Sequence, residues 1–210
     1  PSEFIRVGFI GCGGQGNSNL GALLKNAVAV CDVDKSHLAA TKARVEKANG
    51  RPCAAYGDYR KLLEDKSIDA VLIATPGKVV ADLAASLGDA LRGKLVMDAT
   101  NMAGPLGSAP GFEALHKAGA DAVKVFSCTG WENLADVRYG DQVADMFMAG
   151  GSDAAKATVR ELVKAVGFAE CHDLGGDDKV PILEGFALVW IDLAIFQKMG
   201  RGIAFKLMRR

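Results

Sequence analysis

The stretch Ile5-Arg6-Val7-Gly8-Phe9-Ile10-Gly11-Cys12-Gly13-Gly14-Gln15-Gly16 decides the fold of this chain. A compact run of β-formers ends in a loop with glycines at positions 11, 13 and 16, and residues 17–25 then read as a helix. A glycine pattern of this kind is a weak signal alone, because glycine turns are common. Its context is stronger: the loop follows a strand, opens a helix, and is followed by Asp32 at the end of the next strand candidate, 27–31. That places the acid 21 residues after Gly11, in line with the spacing of about 20 in dinucleotide-binding βαβ units. Gly11 permits the tight turn, Gly13 lets the backbone approach a pyrophosphate, and Gly16 allows close packing of helix on strand. The helix N-terminus offers free N–H groups and a partial positive charge to phosphates. Gly11, Cys12, Gly13, Gly14, Gln15 and Gly16 are therefore the expected cofactor loop.

Asp32 bears on which dinucleotide is bound. Its carboxylate can accept from the adenosine ribose hydroxyls and repels a 2′-phosphate. The following Val33 and Asp34 do not form the cationic cradle that a 2′-phosphate needs, and Lys35 is the only cation nearby. The residues favour NAD(H) over NADP(H), with Asp32 and Val33 lining the adenosine end.

Outward from this unit the pattern repeats. Strands are expected at 54–56, 69–74, 94–98, 122–126, 144–149 and 168–171. Helices are expected from an Asp34 N-cap through 48, then at 58–64, 78–91, 112–118, 153–166, 180–198 and 203–208, with a loop at 104–111. Alternating strands and helices predict an α/β fold, a doubly wound and mainly parallel sheet with ligands at the carboxyl ends of its strands. No repeat or linker interrupts residues 1–210, so a single Rossmann-type domain is expected, with a helical C-terminal segment at about 178–210. The other strand ends supply further candidates. Ala74, Thr75 and Pro76 close the fourth strand, and Thr100 and Asn101 the fifth, where hydroxyl and amide groups can orient a nicotinamide and its ribose. Ser127, Cys128, Thr129 and Asn133 follow the next strand and are candidates for a substrate pocket. Each of these is also ordinary turn chemistry.

Bulk properties narrow the classes. The 210 residues carry 25 basic and 25 acidic side chains, so no net field points to nucleic acid or an anionic membrane. Five scattered cysteines without a C-x-x-C pair, and three histidines without ligand spacing, point away from zinc and from a disulfide framework, so no metal is expected. Reduced thiols and the lack of a charged-then-apolar leader are expected of a cytoplasmic protein. Cys12, beside a helix N-terminus, is either an activated thiol or a small packed residue. The apolar run 182–196 carries Glu184 and Asp192 and is shorter than the ~20 residues a bilayer span needs. It is expected in the core or at a homodimer contact. No nucleophile elbow, Walker loop or acid–base pair stands out, and the catalytic residues stay unassigned.

Two resemblances cover nearly the whole chain. Residues 5–76 resemble the Rossmann domain of the glucose–fructose oxidoreductase/inositol dehydrogenase superfamily. The resemblance is carried by Arg6-Val7-Gly8-Phe9-Ile10-Gly11-Cys12-Gly13, Val30-Cys31-Asp32-Val33-Asp34, Tyr59-Arg60-Lys61-Leu62-Leu63 and Asp69-Ala70-Val71-Leu72-Ile73-Ala74-Thr75-Pro76. Residues 79–210 resemble NADPH-dependent deazaflavin-cofactor reductases, the coenzyme F420-dependent type. Here the carriers are Lys94-Leu95-Val96-Met97-Asp98-Ala99-Thr100-Asn101, Lys124-Val125-Phe126, Gly130-Trp131-Glu132-Asn133-Leu134-Ala135-Asp136, Asp145-Met146-Phe147-Met148-Ala149-Gly150 and Gly200-Arg201-Gly202-Ile203-Ala204-Phe205-Lys206-Leu207. The seam near Pro76 is what a natural or engineered chimera would show. The second resemblance implies hydride transfer between a nicotinamide and a deazaflavin or other small acceptor. Two departures stand against it: that family usually reads NADP, whereas Asp32 favours NAD, and Ser127 stands where Asn commonly follows the Phe. The alternatives are an NAD(H)-binding module without turnover, regulatory or an engineered scaffold, and, less favoured, a sugar or polyol dehydrogenase. The latter family's Glu-Lys-Pro motif is missing around Lys78.

Overall fold

Short apolar runs flanked by turn residues pair edge to edge in the computed structural model, which describes residues 4–74, 77–101 and 108–210. Six of them, β1 (Val7–Ile10), β2 (Ala27–Cys31), β3 (Ala54–Tyr56), β4 (Ala70–Ile73), β5 (Leu95–Asp98) and β6 (Asp121–Lys124), form one sheet in the order β3-β2-β1-β4-β5-β6. Every pairing in it is parallel. Parallel neighbours need long crossovers. These are α1 (Gly14–Ala22), α2 (Lys35–Asn49), α3 (Tyr59–Glu64), α4 (Gly77–Leu87) and α5 (Pro110–Lys117). Helices on both faces explain why β1 and β4 are buried at every residue and read as unbroken apolar runs. The strand order reverses between β1 and β4, so their carboxyl ends diverge into a crevice.

Local chemistry fixes the helix ends. Asp34 caps α2 by accepting from the N–H groups of Ser36 (2.7 Å) and His37 (3.2 Å), and Gly50 ends that helix at φ 63°. The same groups hold the Asp34 carboxyl down at about 2, the Ser36 hydroxyl first among them. Ser152 caps α7 (Asp153–Val166) through Ala155 N–H, and Gly167 ends it at φ 112°.

Beyond β6 the chain builds a second layer against the sheet. α6 (Glu132–Ala135) is followed by a hairpin of β7 (Arg138–Tyr139) and β8 (Gln142–Val143). β9 (Met146–Met148) pairs in parallel with β10 (Cys171–Asp173), and α8 (Val180–Ile191) continues into one π turn, Asp192–Phe196. One contiguous buried cluster runs from Val7 to Leu183.

Several expectations need correction. The strand expected at 144–149 leaves the main sheet, joined to it by a single bridge between Ala149 and Lys124. The last strand lies at Cys171–Asp173 rather than 168–171, although Ala169 N–H and Glu170 C=O already bond toward β9. The hairpin around Gly140-Asp141 was not anticipated. The helix expected at 180–198 stops at Phe196, and residues 203–208 are not helical. Their backbone is committed elsewhere: the Ile203 carbonyl accepts from Asn133 and Trp190, the Phe205 carbonyl from Asp145 N–H, and Leu207 N–H donates to the Asp145 carboxylate. The helical C-terminal segment therefore ends at 196, not 210. Of the expected loop at 104–111, residues 102–107 lie outside the described residues, and Pro110 already opens α5.

Candidate functional site

The glycine loop expected to hold the cofactor runs from the end of β1 into α1. Gly11 sits at φ 92°, where L side chains are strained, and its N–H donates to the Cys31 carbonyl on β2. At Gly16 a Cβ would run into the Gly11 carbonyl oxygen and lie 2.8 Å from its carbon, so helix and turn meet there with no room for a methyl. Gly13 is different. It has φ −73° and ψ 179°, and a Cβ there would meet only the His37 ring, at an ordinary 3.5 Å. Among the described residues nothing demands glycine at 13. Gly13 is also the N-cap of α1, and no side chain caps this helix; the first intrahelical bond runs from Asn17 N–H to Gly13 C=O. The N–H groups of Gly14, Gln15 and Gly16, in the first turn of the helix, have no intrahelical acceptor and can meet an anion.

Asp32, half-buried at the end of β2, closes over this loop. Its Oδ2 accepts Cys12 N–H at 2.7 Å and its Oδ1 accepts Asp34 N–H at 2.9 Å. Val33 beside it is 85% exposed. Cys12 is buried, with its thiol 3.4 Å from the Cys31 carbonyl. Burial, and then the Asp32 charge, push its pKa up to about 11, so the packed-residue reading of Cys12 holds over an activated thiol. The side chain of Gln15 lies outside the described residues.

On the other side of the switch point, Ala74 extends the β1–β4 ladder through its N–H to the Ile10 carbonyl, and Thr75 and Pro76 lie outside the described residues. At the end of β5, Thr100 is turned inward: its N–H and hydroxyl both reach Asp98 Oδ1, at 3.0 and 2.7 Å. Asn101 is exposed. After β6 the backbone takes an uncommon turn, with Phe126 at φ 61°. Ser127 follows; its hydroxyl is buried and has no hydrogen-bond partner among the described residues. Cys128 is wholly enclosed against Met146, and burial raises its thiol pKa to about 11. The Asn133 amide is taken up internally, donating to Thr129 Oγ1 (2.9 Å) and to the carbonyls of Arg201 (3.0 Å) and Ile203 (2.8 Å). Thr129 and Asn133 thus clamp the C-terminal tail, while Ser127 is the residue of this segment with unused polar capacity.

One charged group at this edge was not among the expected site residues. Lys124, at the end of β6, is fully buried between Asp98 of β5 and Glu184 of α8. The available signal was a lysine between Val123 and Val125, and an aspartate after Val96-Met97, both inside apolar strands. Among the described residues no group of three His, Cys, Asp or Glu is arranged to hold a metal ion, and no helix is long and apolar enough to cross a membrane.

Residues 5–97 match the sequence profile of an oxidoreductase family with an NAD-binding Rossmann fold. The match covers the first four strands and most of β5, less than half of the chain. No curated protein sequence matches. Solved structures extend the likeness to the C-terminal part. A protein from Arthrobacter sp. FB24, provisionally named an F420-dependent NADP reductase, superposes with TM-score 0.79 at 22% identity over 98% of this chain and 100% of that one. A hypothetical protein from Sinorhizobium meliloti gives 0.67 at 23% identity, over 98% and 96%. An imine reductase variant from Myxococcus stipitatus, in complex with NAD+, gives 0.65 at 18% identity, over 93% of this chain and 63% of that one. These likenesses fix the fold over nearly the full length. At the coarse level, the N-terminal part is an NAD(P)-binding Rossmann unit of oxidoreductase type.

Proposed function

We propose that this protein moves a hydride between a nicotinamide dinucleotide, NAD(H) in preference to NADP(H), and a second redox cofactor or small acceptor, a deazaflavin by resemblance. The observation that carries the reading is the pairing of Gly13 with an uncapped α1 N-terminus. A helix start without a side-chain cap, beside a glycine that no neighbouring atom of the described residues requires, fits a ligand phosphate arriving at that point. Asp32 would receive the adenosine ribose, since its oxygens are already oriented by Cys12 and Asp34 N–H groups. The nicotinamide half would then extend past Ala74 toward Thr100, Asn101 and Ser127.

When bound, the nicotinamide supplies the carbon that gives or takes the hydride. The chain's residues orient its ring and exclude water, which is most of what such a transfer requires. The like-sized Arthrobacter protein supports an acceptor that is itself a cofactor. Work in the cytoplasm as one domain, with a small-molecule partner rather than nucleic acid or membrane, fits five free thiols and a balanced charge. A homodimer through α8 fits Ile182, Val189 and Phe196, which repeat every seven residues and are 59%, 48% and 71% exposed.

The test has two stages. Titration with NADH and NADPH should show the tighter Kd for NADH; a tenfold preference for NADPH overturns the cofactor assignment. Anaerobic mixing of the reduced dinucleotide with oxidised deazaflavin, flavin and ferric chelates should show accelerated oxidation with at least one acceptor. Binding without acceleration for any of them leaves a binding module and removes the enzyme assignment.

A further inference from the structure

Lys124 is a buried cation with its hydrogen bonds fully subscribed. An ammonium has three N–H groups, and three acceptors surround this one: Asp98 Oδ2 at 3.2 Å, Glu184 Oε1 at 2.6 Å and the Thr100 carbonyl. Asp98 uses its other oxygen on the N–H and hydroxyl of Thr100. Thr100 is therefore gripped at its N–H, its hydroxyl and its carbonyl by one connected set of charges. This occurs where the β5 backbone leaves the sheet, since Ala99 N–H makes the last ladder bond, to the Ile73 carbonyl. Burial pulls the Lys124 pKa down, but Asp98 and Glu184 more than offset it, and the net shift is upward; the ammonium is the resident form. Buried ion pairs are poor sources of net stability compared with apolar packing, so one placed at a strand end beside a ligand crevice calls for a geometric role.

We propose that Lys124, with Asp98, is a positioning residue for the nicotinamide half of the cofactor: it fixes Thr100 and so directs Asn101 into the crevice, while Glu184 holds the ammonium from α8. The proposal rests on the reading that the dinucleotide runs from the glycine loop toward Thr100 and Asn101. Lys124 is enclosed and touches no ligand itself. Its effect is confined to the end of the cofactor that Asn101 faces, and the adenosine end, held by Asp32 and the glycine loop, is independent of it.

That asymmetry is measurable by binding alone, with NADH against ADP-ribose, which carries the adenosine and pyrophosphate but no nicotinamide. Lys124→Met alone leaves two carboxylates facing each other and is at risk of not folding. The double variant Lys124→Met/Glu184→Gln keeps the cluster at its original formal charge of −1, and its fold is checked by circular dichroism and thermal melting. The expected result is NADH binding weakened at least about tenfold, with ADP-ribose binding changed by less than about twofold. Equal loss of both ligands means a merely structural role and overturns the proposal, as does no loss of either. Asn101→Ala separates the proposal from the reading beneath it. If Asn101→Ala abolishes the preference for NADH over ADP-ribose while the double variant retains it, the cofactor path stands and Lys124 has no positioning role. Wild-type protein that binds neither ligand overturns both.

Discussion

Gly13 and Gly16 lie three residues apart in one loop, yet replacing each by alanine should damage different things. At Gly13 the backbone is extended, and a Cβ would find only the His37 ring at 3.5 Å. Alanine there gains about 0.4–1 kcal/mol by restricting the unfolded chain. It loses a comparable amount because alanine is a poorer N-cap than glycine. The two nearly cancel, so the ligand-free melting temperature should stay within about 2 °C. A methyl group at the mouth of α1 would, however, hold a pyrophosphate off the helix N–H groups. Loss of one charge-assisted hydrogen bond is worth about 1.5–3 kcal/mol, which is roughly ten- to hundredfold in Kd for NADH. At Gly16 the same methyl meets the Gly11 carbonyl, which is backbone and cannot step aside. Overpacking of that kind costs about 1–3 kcal/mol, and for a chain of this length each kcal/mol lowers Tm by about 2 °C. Gly16→Ala should thus melt about 2–6 °C below wild type before any ligand is added. Differential scanning calorimetry without ligand and isothermal titration with NADH separate the two effects. Gly13→Ala binding NADH as wild type does, at unchanged stability, would refute the placement of phosphate at this loop.

Four further outcomes are expected. Asp32→Asn removes the charge that opposes a 2′-phosphate, so the ratio of NADPH to NADH affinity should rise about tenfold, or ~1.4 kcal/mol, read by NADH and NADPH fluorescence titration; an unchanged ratio would show that Asp32 does not set the choice. Asp145 is buried, yet His172, Leu207 N–H and Lys206 outweigh the burial and hold its carboxyl below the ordinary carboxylate range. A depressed folded pKa contributes stability above the unfolded value and loses it as pH falls through the folded one, so the tail should loosen only below about pH 4. Asp145→Ala should release the same tail at neutral pH and speed tryptic cleavage after Lys206 several-fold, with wild-type rates counting against the clamp. Burial first of all raises the thiols of Cys12, Cys53 and Cys128 to about 11 and those of Cys31 and Cys171 to about 12. Native protein should therefore react with a disulfide reagent over hours at pH 7.5, Cys171 first as the one not fully buried, and all five thiols should react at once in denaturant. Val189→Glu/Phe196→Glu should convert a dimer to a monomer in light scattering; an unchanged mass would place the dimer contact elsewhere or remove it.

What was legible in the sequence is what lies close together along it. The loop from Gly11 to Gly16, the acid at 32 and the Asp34 cap are local features, and the strands at 27–31 and 54–56 and the helix at 153–166 fall at the expected residues. The tail segment 203–208 reads as helix because its apolar spacing allows one, whereas its true partners are remote. Asn133 reaches it across 68 and 70 residues, and Asp145 across 62. No periodicity within a window reports such contacts. Lys124 was passed over for the same reason: a lysine in a strand looks solvated until Asp98, 26 positions earlier, and Glu184 on α8 close around it. Thr100 and Ser127 were placed at the right edge of the sheet, but which of them has a free polar atom depends on neighbours the sequence does not order. The Thr100 hydroxyl is spent on Asp98, and that of Ser127 is not.

Asp32 shows how a legible residue gains meaning from its contacts. Spacing alone makes it a candidate ribose acceptor, a role that a mobile carboxylate could abandon by rotating away from an unwelcome phosphate. Here each oxygen already accepts a backbone N–H, one from the cofactor loop at Cys12 and one from the cap of α2 at Asp34. The carboxylate is held before any ligand arrives, and each oxygen keeps a lone pair directed elsewhere. Ribose hydroxyls can use those lone pairs without reordering the side chain, so binding costs little conformational entropy. A 2′-phosphate would meet a fixed negative charge that cannot retreat without breaking the bond to Cys12 N–H and loosening the glycine loop. On the proposed function, selection against the phosphate would be coupled to the loop proposed to bind the pyrophosphate. Relaxing the first by mutation should also weaken the second, so Asp32→Asn should lose affinity for ADP-ribose even as its preference between NADH and NADPH shifts.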